Sequence, residues 1–556
     1  MIASGGARMC RVRENASALL ILVVAAGCGG GDQRGGPVRF GATGSAAPRP
    51  AQAMPAAVRQ QLLDGAMAVL GRLDGYDEAA AFAQVFDRLN QWSHGLVLAG
   101  GDANAGWKLD PLHAKLPPGL AAVASAEALG SGVFDAGEDV LALRDQRWLA
   151  DITATARGDA VDDLDVARNL FDWTVRSLAL TSDPPLVPTD ANPGTRWFSL
   201  GEVLLAGRAS AAQRAWVFLE LLRHAGLDGV MLATGDQAAG TLRPWLPALV
   251  SGGECHLFEP VYGMPVPGPG GAGVATARQA ASDRAVLRAL SLPDRPYPVQ
   301  AADVERLSVL VPAAPVNLAR RMQLLDGQLA GSARIDLAIA ATDLGNAAVA
   351  ALPGPADTNR VWLWEFPWET LRRRRESAAG VSAVAARELA PLLIALEASG
   401  PDGSGSARII RPLYVARLRE FRGDLDGPDG AKMAYLQARP ATTVIADAAK
   451  RGAPEQADGL RRLYESMKED ATYWLGVLTL AEGEYATAAD YLGRMILENA
   501  PDSRWADAAR TNLATAEAAL GHTAKAIELL RADPSPQRFG SRLKAAQLER
   551  ESAGKR

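Results

Sequence analysis

Residues 160–270 restrict the possible fold more than any other part of the sequence. The string DDLDVARNLFDWTVRSLAL repeats its apolar residues at helical spacing, and so does AAQRAWVFLELLRHA. Gly226 ends the second of these helices, and the apolar residues Val230–Leu232 begin a strand. Two further strands are predicted around a turn at Ser251–Gly253. The predicted order is therefore helix, loop, buried helix, strand and hairpin.

Several phrases in this segment resemble the transglutaminase-like domain of the papain-like cysteine enzymes. The phrase DWTV at Asp172 resembles the DWV that ends the first helix of the family, and LLRHAGL at Leu221 resembles its LLRxxGI. The phrases RPW at Arg243 and EP at Glu259 resemble the HAW and DP of the two following strands. The resemblance implies a papain-like core over residues 159–300, with a catalytic cysteine at the start of a helix.

The three catalytic positions of the family fall on residues that lack its chemistry. The cysteine falls on Ala211, the histidine on Arg243 and the aspartate on Glu259. Arg243 stays protonated and cannot act as a general base. No cysteine lies between Cys28 and Cys255, so the missing nucleophile does not depend on the alignment. The resemblance thus implies a degenerate, inactive domain, in which we expect Arg243 and Glu259 to lie on neighbouring strands and form an ion pair.

Two other residues are weaker candidates for a nucleophile. Ser210 begins a Ser-x-x-Gln sequence, which is typical of a helix capping box. Cys255 and His256 are adjacent, so on a strand they point to opposite faces and cannot pair. These patterns favour a cap and a buried thiol. The alternative that stays open is a cysteine or serine amidase, or an acyl-transferase, with its nucleophile displaced to Ser210 or Cys255.

The N-terminus has the order of an export signal. Three arginines precede the apolar run Ala18–Ala26, which is too short to span a bilayer stably. The run ends in AAGC at Cys28, which resembles the lipobox of bacterial lipoproteins and implies a lipid on this cysteine. Residues 29–55 are rich in Gly, Pro, Ala and Ser, as flexible tethers are. We expect a signal peptide over 1–28 and a protein anchored to a membrane of the cell envelope, at the outer membrane or periplasmic face.

The regions on either side of the transglutaminase-like segment carry no clear chemistry. Residues 56–158 are predicted to be helical, and the histidines there are isolated. Residues 301–400 are predicted to be mixed, with strands over 306–312, 333–341 and 361–368. The four arginines at 372–375 are predicted to form a solvated helix face, with an anionic partner as the alternative.

Residues 410–556 are predicted to be helical and carry an internal repeat. Gly483 and Gly521 lie 38 residues apart, and so do Ala488 and Ala526. This spacing resembles two tetratricopeptide-type helical hairpins, in which small residues let paired helices approach closely. Such repeats bind peptides or proteins, so the resemblance implies a protein partner.

Composition excludes several other classes of function. The net charge is −5, which gives no basic footprint for nucleic acid. Three cysteines and five histidines, without metal-ligand spacing, predict no metal and no other cofactor.

The helices and strands predicted along the chain together indicate an α+β fold class that is predominantly helical and multidomain. The predicted function is that of an envelope lipoprotein which binds or scaffolds other proteins and has no catalytic residues.

Overall fold

The computed structural model of the chain describes residues 54–98, 106–182, 197–236, 240–376, 387–399, 407–450 and 453–554. The predicted signal peptide, Cys28 and nearly all of the tether lie outside these residues. No helix within the described ranges is both long and apolar enough to cross a membrane.

The chain is α+β and predominantly helical, as predicted. The helices are α1 (Ala56–Leu70), α2 (Glu78–Leu98), α3 (Pro118–Ala121), α4 (Ala126–Gly130), α5 (Glu138–Ala156), α6 (Asp163–Ser177), α7 (Leu200–Ala206), α8 (Ala211–His224), α9 (Ala277–Ser282), α10 (Arg284–Arg288), α11 (Ala301–Val304), α12 (Pro315–Leu318), α13 (Arg320–Asp326), α14 (Ala341–Ala351), α15 (Glu365–Glu376), α16 (Pro412–Arg422), α17 (Ala431–Gln437), α18 (Thr442–Ala448), α19 (Pro454–Ala481), α20 (Tyr485–Ala489), α21 (Ala506–Ala519), α22 (Thr523–Arg531) and α23 (Arg538–Gly554). The strands are β1 (Ala179–Leu180), β2 (Arg208–Ala209), β3 (Asp228–Thr234), β4 (Arg243–Ser251), β5 (Glu254–Glu259), β6 (Met264–Pro265), β7 (Ser308–Val311), β8 (Val361–Leu363), β9 (Leu396–Ser399) and β10 (Ala407–Ile410).

Six strands form one mixed sheet in the order β6-β5-β4-β3-β7-β8. Neighbouring strands are antiparallel except for β7 and β8, which are parallel. The predicted hairpin joins β4 to β5 through Gly252 and Gly253, whose φ angles are +60° and +75°. Two successive left-handed residues are what a tight two-residue hairpin needs, and glycine adopts them without a steric cost.

The sheet continues past the boundary expected at residue 300. Strand β7 pairs with β3, and β8 pairs with β7, so part of the region 301–400 belongs to this sheet. The strand expected over 361–368 ends at Leu363, and α15 begins at Glu365. Pro367 explains the difference, because proline fits the first turn of a helix and is unfavourable within a strand. Residues 334–340 form no strand.

Helices cover both faces of the sheet. On one face, the Phe258 ring of β5 lies 4.8 Å from Phe218 of α8 and 5.1 Å from Phe171 of α6. On the other face, Cys255 of β5 contacts the Ala348 carbonyl of α14. One continuous cluster of buried apolar residues extends from Leu63 in α1 to Ala516 in α21. The N-terminal helices, the sheet and part of the C-terminal region therefore share one core.

The C-terminal helices pack as successive hairpins, and α20 continues as a π-helix over Asp490–Glu498. The glycines at the 38-residue spacing, Gly483 and Gly521, both have positive φ and follow the first helix of a hairpin. The alanines at the same spacing, Ala488 and Ala526, are both fully buried. The two pairs of residues thus occupy corresponding positions in two hairpins.

Candidate functional site

Ser210 and Ala211 lie at the start of α8, where the resemblance puts the nucleophile. The Ser210 Oγ accepts a hydrogen bond from the Gln213 amide nitrogen at 3.3 Å, and the Ser210 amide donates to Gln213 Oε1 at 2.9 Å. These reciprocal bonds form the capping box that the Ser-x-x-Gln spacing predicts. The Ser210 hydroxyl is therefore occupied in starting the helix, and Ala211 offers only a methyl group.

Arg243 does not pair with Glu259, so the expected ion pair is wrong. One residue of β3, Leu232, faces two residues of β4, Trp245 and Leu246, which is a β-bulge. A bulge changes the register and re-aims the side chains beside it. Arg243 is exposed, and its Nη1 donates to the carbonyl of the preceding residue at 3.0 Å.

Glu259 belongs instead to a buried chain of hydrogen bonds. The Tyr297 hydroxyl donates to Glu259 Oε2 at 2.6 Å, and the Trp245 indole N–H donates to the Tyr297 oxygen at 3.0 Å. The Val261 amide donates to Glu259 Oε1 at 2.9 Å. Burial raises the pKa of the Glu259 carboxyl, and these hydrogen bonds oppose the increase. The partners of Glu259 are a phenol and the backbone, whereas a catalytic triad would need an imidazole.

Cys255 and His256 lie on opposite faces of β5, as predicted. The Cys255 side chain is fully buried, and its Sγ lies 3.7 Å from the Ala348 carbonyl oxygen. Burial raises the pKa of the Cys255 thiol to about 12, so the thiol stays protonated and poorly nucleophilic near neutral pH. His256 is half-buried, and burial lowers its pKa. The two residues do not form a nucleophile and base pair.

Arg214 is a central residue that the sequence analysis missed. It lies in α8, one turn from the start, and is only 2% exposed. Its guanidinium donates to the carbonyls of Val175, Leu178 and Pro260. The first two carbonyls lie at the C-terminal end of α6, where a positive charge is favourable to the helix dipole. The sequence did contain one signal for this role, because Arg214 is a single arginine within the mostly apolar first turns of a helix that was predicted to be buried.

Residues 533–542, here called the docking segment, contact this end of α8 and the chain after β5. Gln537 Oε1 accepts a hydrogen bond from Arg214 Nη1 at 2.7 Å. Gly540 lies so close to Tyr262 that any side chain there would overlap the Tyr262 carbonyl. Arg542 forms two hydrogen bonds with the Asp294 carboxylate, at 2.7 and 2.9 Å. The C-terminal region is thus fixed against the end of α8 at which the resemblance puts the nucleophile.

A second contact joins the C-terminal helices to the turn before α8. Trp474 packs against Gly207, which has a φ of +61° and where a Cβ would overlap the indole ring. The fully buried Arg417 lies over the Trp474 ring at 3.6 Å and donates to the Leu204 carbonyl at 2.8 Å. Asn512 donates from Nδ2 to the Arg176 carbonyl at 3.1 Å. Two separate contacts therefore hold the C-terminal region against α6, α7 and α8.

The space left between α8 and the C-terminal helices is a cavity of about 60 Å³. Polar side chains in its wall include Arg214, Asn512 and Gln537. A water molecule occupies about 30 Å³ in the liquid, so the cavity has room for about two waters and none for a peptide substrate.

Within the part of the chain that the structure describes, no group of three or more His, Cys, Asp or Glu side chains is arranged to hold a metal ion. No protein-family model matches the chain, and neither does any curated protein or solved structure.

Proposed function

We propose that this protein is a binding or scaffolding protein of the bacterial cell envelope, without catalytic activity, and held on a membrane by a lipid on Cys28. The observation that carries this proposal is the contact between the docking segment and the start of α8, through Gln537 and Arg214. An enzyme of the papain-like type needs that end of the helix open to its substrate. Here it is an internal contact between two regions of one chain.

The residues at the catalytic positions support a degenerate transglutaminase-like domain. Nucleophilic catalysis needs a nucleophile and a base within hydrogen-bond reach of each other. Ala211 has no nucleophilic atom, Arg243 is an exposed cation, and Glu259 is bonded to Tyr297. The two alternative nucleophiles are also unsuitable, because Ser210 caps α8 and Cys255 is buried beneath α14.

The binding role is assigned to the C-terminal helices as tetratricopeptide-type repeats. Helical repeats offer extended surfaces to peptides and proteins. One side of these helices packs against the turn before α8 through Trp474. Tyr485 and Leu520 are partly exposed, and each lies beside the glycine of its hairpin. We assign the exposed surface to which they belong to a protein or peptide partner. The alternative function, an amidase, would need a general base within hydrogen-bond reach of its nucleophile, and the described residues place none beside Ser210 or Cys255.

An activity assay tests the absence of catalysis. Hydrolysis and transamidation of glutamine peptides are measured with the full chain, with Cys255→Ala and Ser210→Ala, and with Ala211→Cys. We expect no turnover above the protein-free blank in any of them, because a cysteine at position 211 has no imidazole to deprotonate it. Turnover by the full chain that Cys255→Ala or Ser210→Ala abolishes would contradict the proposal and support the amidase.

Membrane anchoring is tested separately by cell fractionation. Cys28→Ser removes the acylated thiol, so the variant is expected to move from the membrane to the soluble fraction. Cys255→Ala, which changes the other cysteine after the apolar run, is the matched control and stays with the membrane. An unchanged distribution of the Cys28→Ser variant would contradict the lipid anchor.

A further inference from the structure

An open groove of about 640 Å³ lies between α10 and the segment 296–302, which leads into α11. Arg284, Leu287 and Arg288 line one wall of this groove. Their i, i+3, i+4 spacing places them on a single face of α10, so this face is turned toward the groove. The volume lies within the about 300–1,000 Å³ that is typical of small-molecule sites. The feature is here called the arginine groove.

The two arginines of the groove have no partner in the part of the chain that the structure describes. Neither the Arg284 nor the Arg288 guanidinium forms an ion pair or a hydrogen bond there, and both side chains are exposed. No Asp or Glu of the described ranges lines the groove. Two like charges one turn apart on a helix repel each other, so an anion bound between them would be favourable.

The acidic residues nearest in the sequence are bonded to other groups. The Asp283 carboxylate accepts a hydrogen bond from the Ala285 amide at 2.8 Å, at the start of α10. The Asp303 carboxylate accepts one from the Gln300 amide at 2.8 Å, and Asp294 pairs with the docking segment. None of the three pairs with an arginine of the groove. The groove therefore presents two positive charges to a ligand.

The arginine run at 372–375 differs from the arginine groove in this respect. Each of its four arginines pairs with a glutamate of α5, α7 or α15. The run is thus used inside the fold and offers no free cation to an anionic partner. This contrast distinguishes α10, where the positive charges face an open groove, from α15, where glutamates neutralise them.

Apolar side chains make up much of the remaining wall. They include Leu287, Pro296, Val299, Ala301 and Ala302. Small-molecule sites commonly combine such apolar surface with a few charged groups that fix the orientation of the ligand. A guanidinium matches the geometry of a carboxylate, to which it can donate two parallel hydrogen bonds. The ligand that fits both parts of the wall has an anionic head and an apolar body.

We propose that the arginine groove binds a small amphipathic carboxylate. The carboxylate lies between Arg284 and Arg288, which donate hydrogen bonds to its oxygens. The apolar chain lies along Leu287 and Val299 and leaves water when the ligand binds. The site does not depend on the proposed function, because the residues described in its wall include none of the docking segment and none of the degenerate catalytic positions.

The probe for this site is octanoate. One matched control is octanol, which has the same chain without the charge, and the other is acetate, which has the charge without the chain. Binding is measured by ligand-observed NMR and calorimetry on the full chain carrying Cys28→Ser, with protein-free blanks. We expect octanol to bind about two- to tenfold more weakly than octanoate, and acetate about tenfold or more. Added salt should weaken octanoate binding, because it screens exposed charges.

Single variants locate the binding of the carboxylate. Arg284→Gln and Arg288→Gln should each weaken octanoate binding by about two- to fivefold, because each removes one exposed charge pair. Arg72→Gln is the matched control, because Arg72 is also exposed and, among the described residues, its side chain has no ion pair or hydrogen bond and does not line the groove. It should leave octanoate binding unchanged. Far-ultraviolet circular dichroism verifies that each variant is folded.

Reversal of the charge provides an independent test. The double variant Arg284→Glu with Arg288→Glu should lose octanoate binding and should instead bind octylammonium, which the unchanged groove repels. Three outcomes would overturn the assignment: no detectable binding of octanoate, equal affinity for octanoate and octanol, or an equal effect of Arg72→Gln and Arg288→Gln. Equal affinity for octanoate and acetate would exclude the role given to the apolar wall and would also overturn it.

Discussion

Arg214 Nη1 and Gln537 Oε1 lie 2.7 Å apart, although 323 residues separate them in the sequence. Both side chains are buried where α8 meets the docking segment. A buried donor that loses its partner costs its desolvation free energy. This one hydrogen bond therefore couples the start of α8 to the C-terminal region.

Gln537→Leu tests this coupling. Leucine keeps most of the volume but has no acceptor, so one buried N–H of Arg214 loses a partner. We expect the free energy of unfolding to fall by about 1–3 kcal/mol. Amide hydrogen exchange should become faster in residues 533–542 and remain unchanged in α14. Urea unfolding and mass-spectrometric exchange provide the two measurements.

Gln547→Leu is the matched control for this change. Gln547 lies in α23, the helix that begins directly after Gln537, but its side chain is exposed and donates to Glu551 in the next turn. Its replacement should change stability by about 0.5 kcal/mol or less. Equal effects at Gln537 and Gln547 would show that the Arg214 contact is not important for docking.

Gly207→Ala tests the second contact, between Gly207 and Trp474. The new methyl group would overlap the indole ring, and the residue has a left-handed φ of +61°. Left-handed backbone costs a non-glycine residue roughly 1–2 kcal/mol, and overpacking adds about 1–3 kcal/mol. The control is Gly226→Ala, where φ is +74° but nothing lies within 4 Å of the added Cβ. A larger loss of stability in Gly207→Ala is expected by urea unfolding, and equal losses would exclude a tight contact with Trp474.

Tyr297→Phe tests the buried Glu259 network by its dependence on pH. Burial raises the pKa of Glu259 in the folded protein above its value in the unfolded chain. Between these two pKa values, the contribution of this carboxyl group to stability falls as the pH rises. The Tyr297 hydrogen bond lowers this pKa, so its removal raises the pKa further and makes the fall steeper. We expect a loss of about 0.5–1.5 kcal/mol at pH 4 and a larger loss, up to about 1.5–3 kcal/mol, as the pH rises to 8, because the ionised form of Glu259 depends more strongly on its donor than the protonated form does.

The control for the pH dependence is Trp245→Phe. This change removes the hydrogen bond to the Tyr297 oxygen but leaves the Tyr297 donor on Glu259. Its cost should be similar at pH 4 and pH 8. Thermal melts across this range provide the measurement, and a Tyr297→Phe cost that does not vary with pH would contradict the role given to Glu259.

Features set by neighbouring residues could be predicted from the sequence. The Ser210 cap depends on Gln213 three residues later, and the end of α8 depends on Gly226. The hairpin between β4 and β5 follows from two adjacent glycines in the left-handed region. In each case, the deciding interaction lies within one turn of the chain, so residue type and spacing are sufficient.

Features set by distant residues could not be predicted. The bulge at Trp245 depends on how β4 pairs with β3, and it determines where Arg243 points. Glu259 is bonded to Tyr297, 38 residues later, in place of the expected arginine. Strands over 306–312 and 361–368 were predicted, but the pairing of β7 with β3 and of β8 with β7, which extends the sheet beyond residue 300, was not. Contacts between residues that are distant in the sequence do not change the spacing of residue types along the chain. For the same reason, the buried contacts of Arg214 were not predicted.

Ala526→Trp tests the packing of the C-terminal hairpins. Ala526 is fully buried in a small cluster with Ala514, Leu530 and Ala545, where three helices meet and no space is left for an indole ring. We expect the free energy of unfolding of the full chain to fall by about 1–3 kcal/mol or more, because overpacking forces the helices apart. Ala524→Trp places the same ring on the same helix at an exposed position and should cost about 0.5 kcal/mol or less. Tryptophan at 526 without a loss of stability, or equal losses at 524 and 526, would contradict the close approach of paired helices at the repeat alanines.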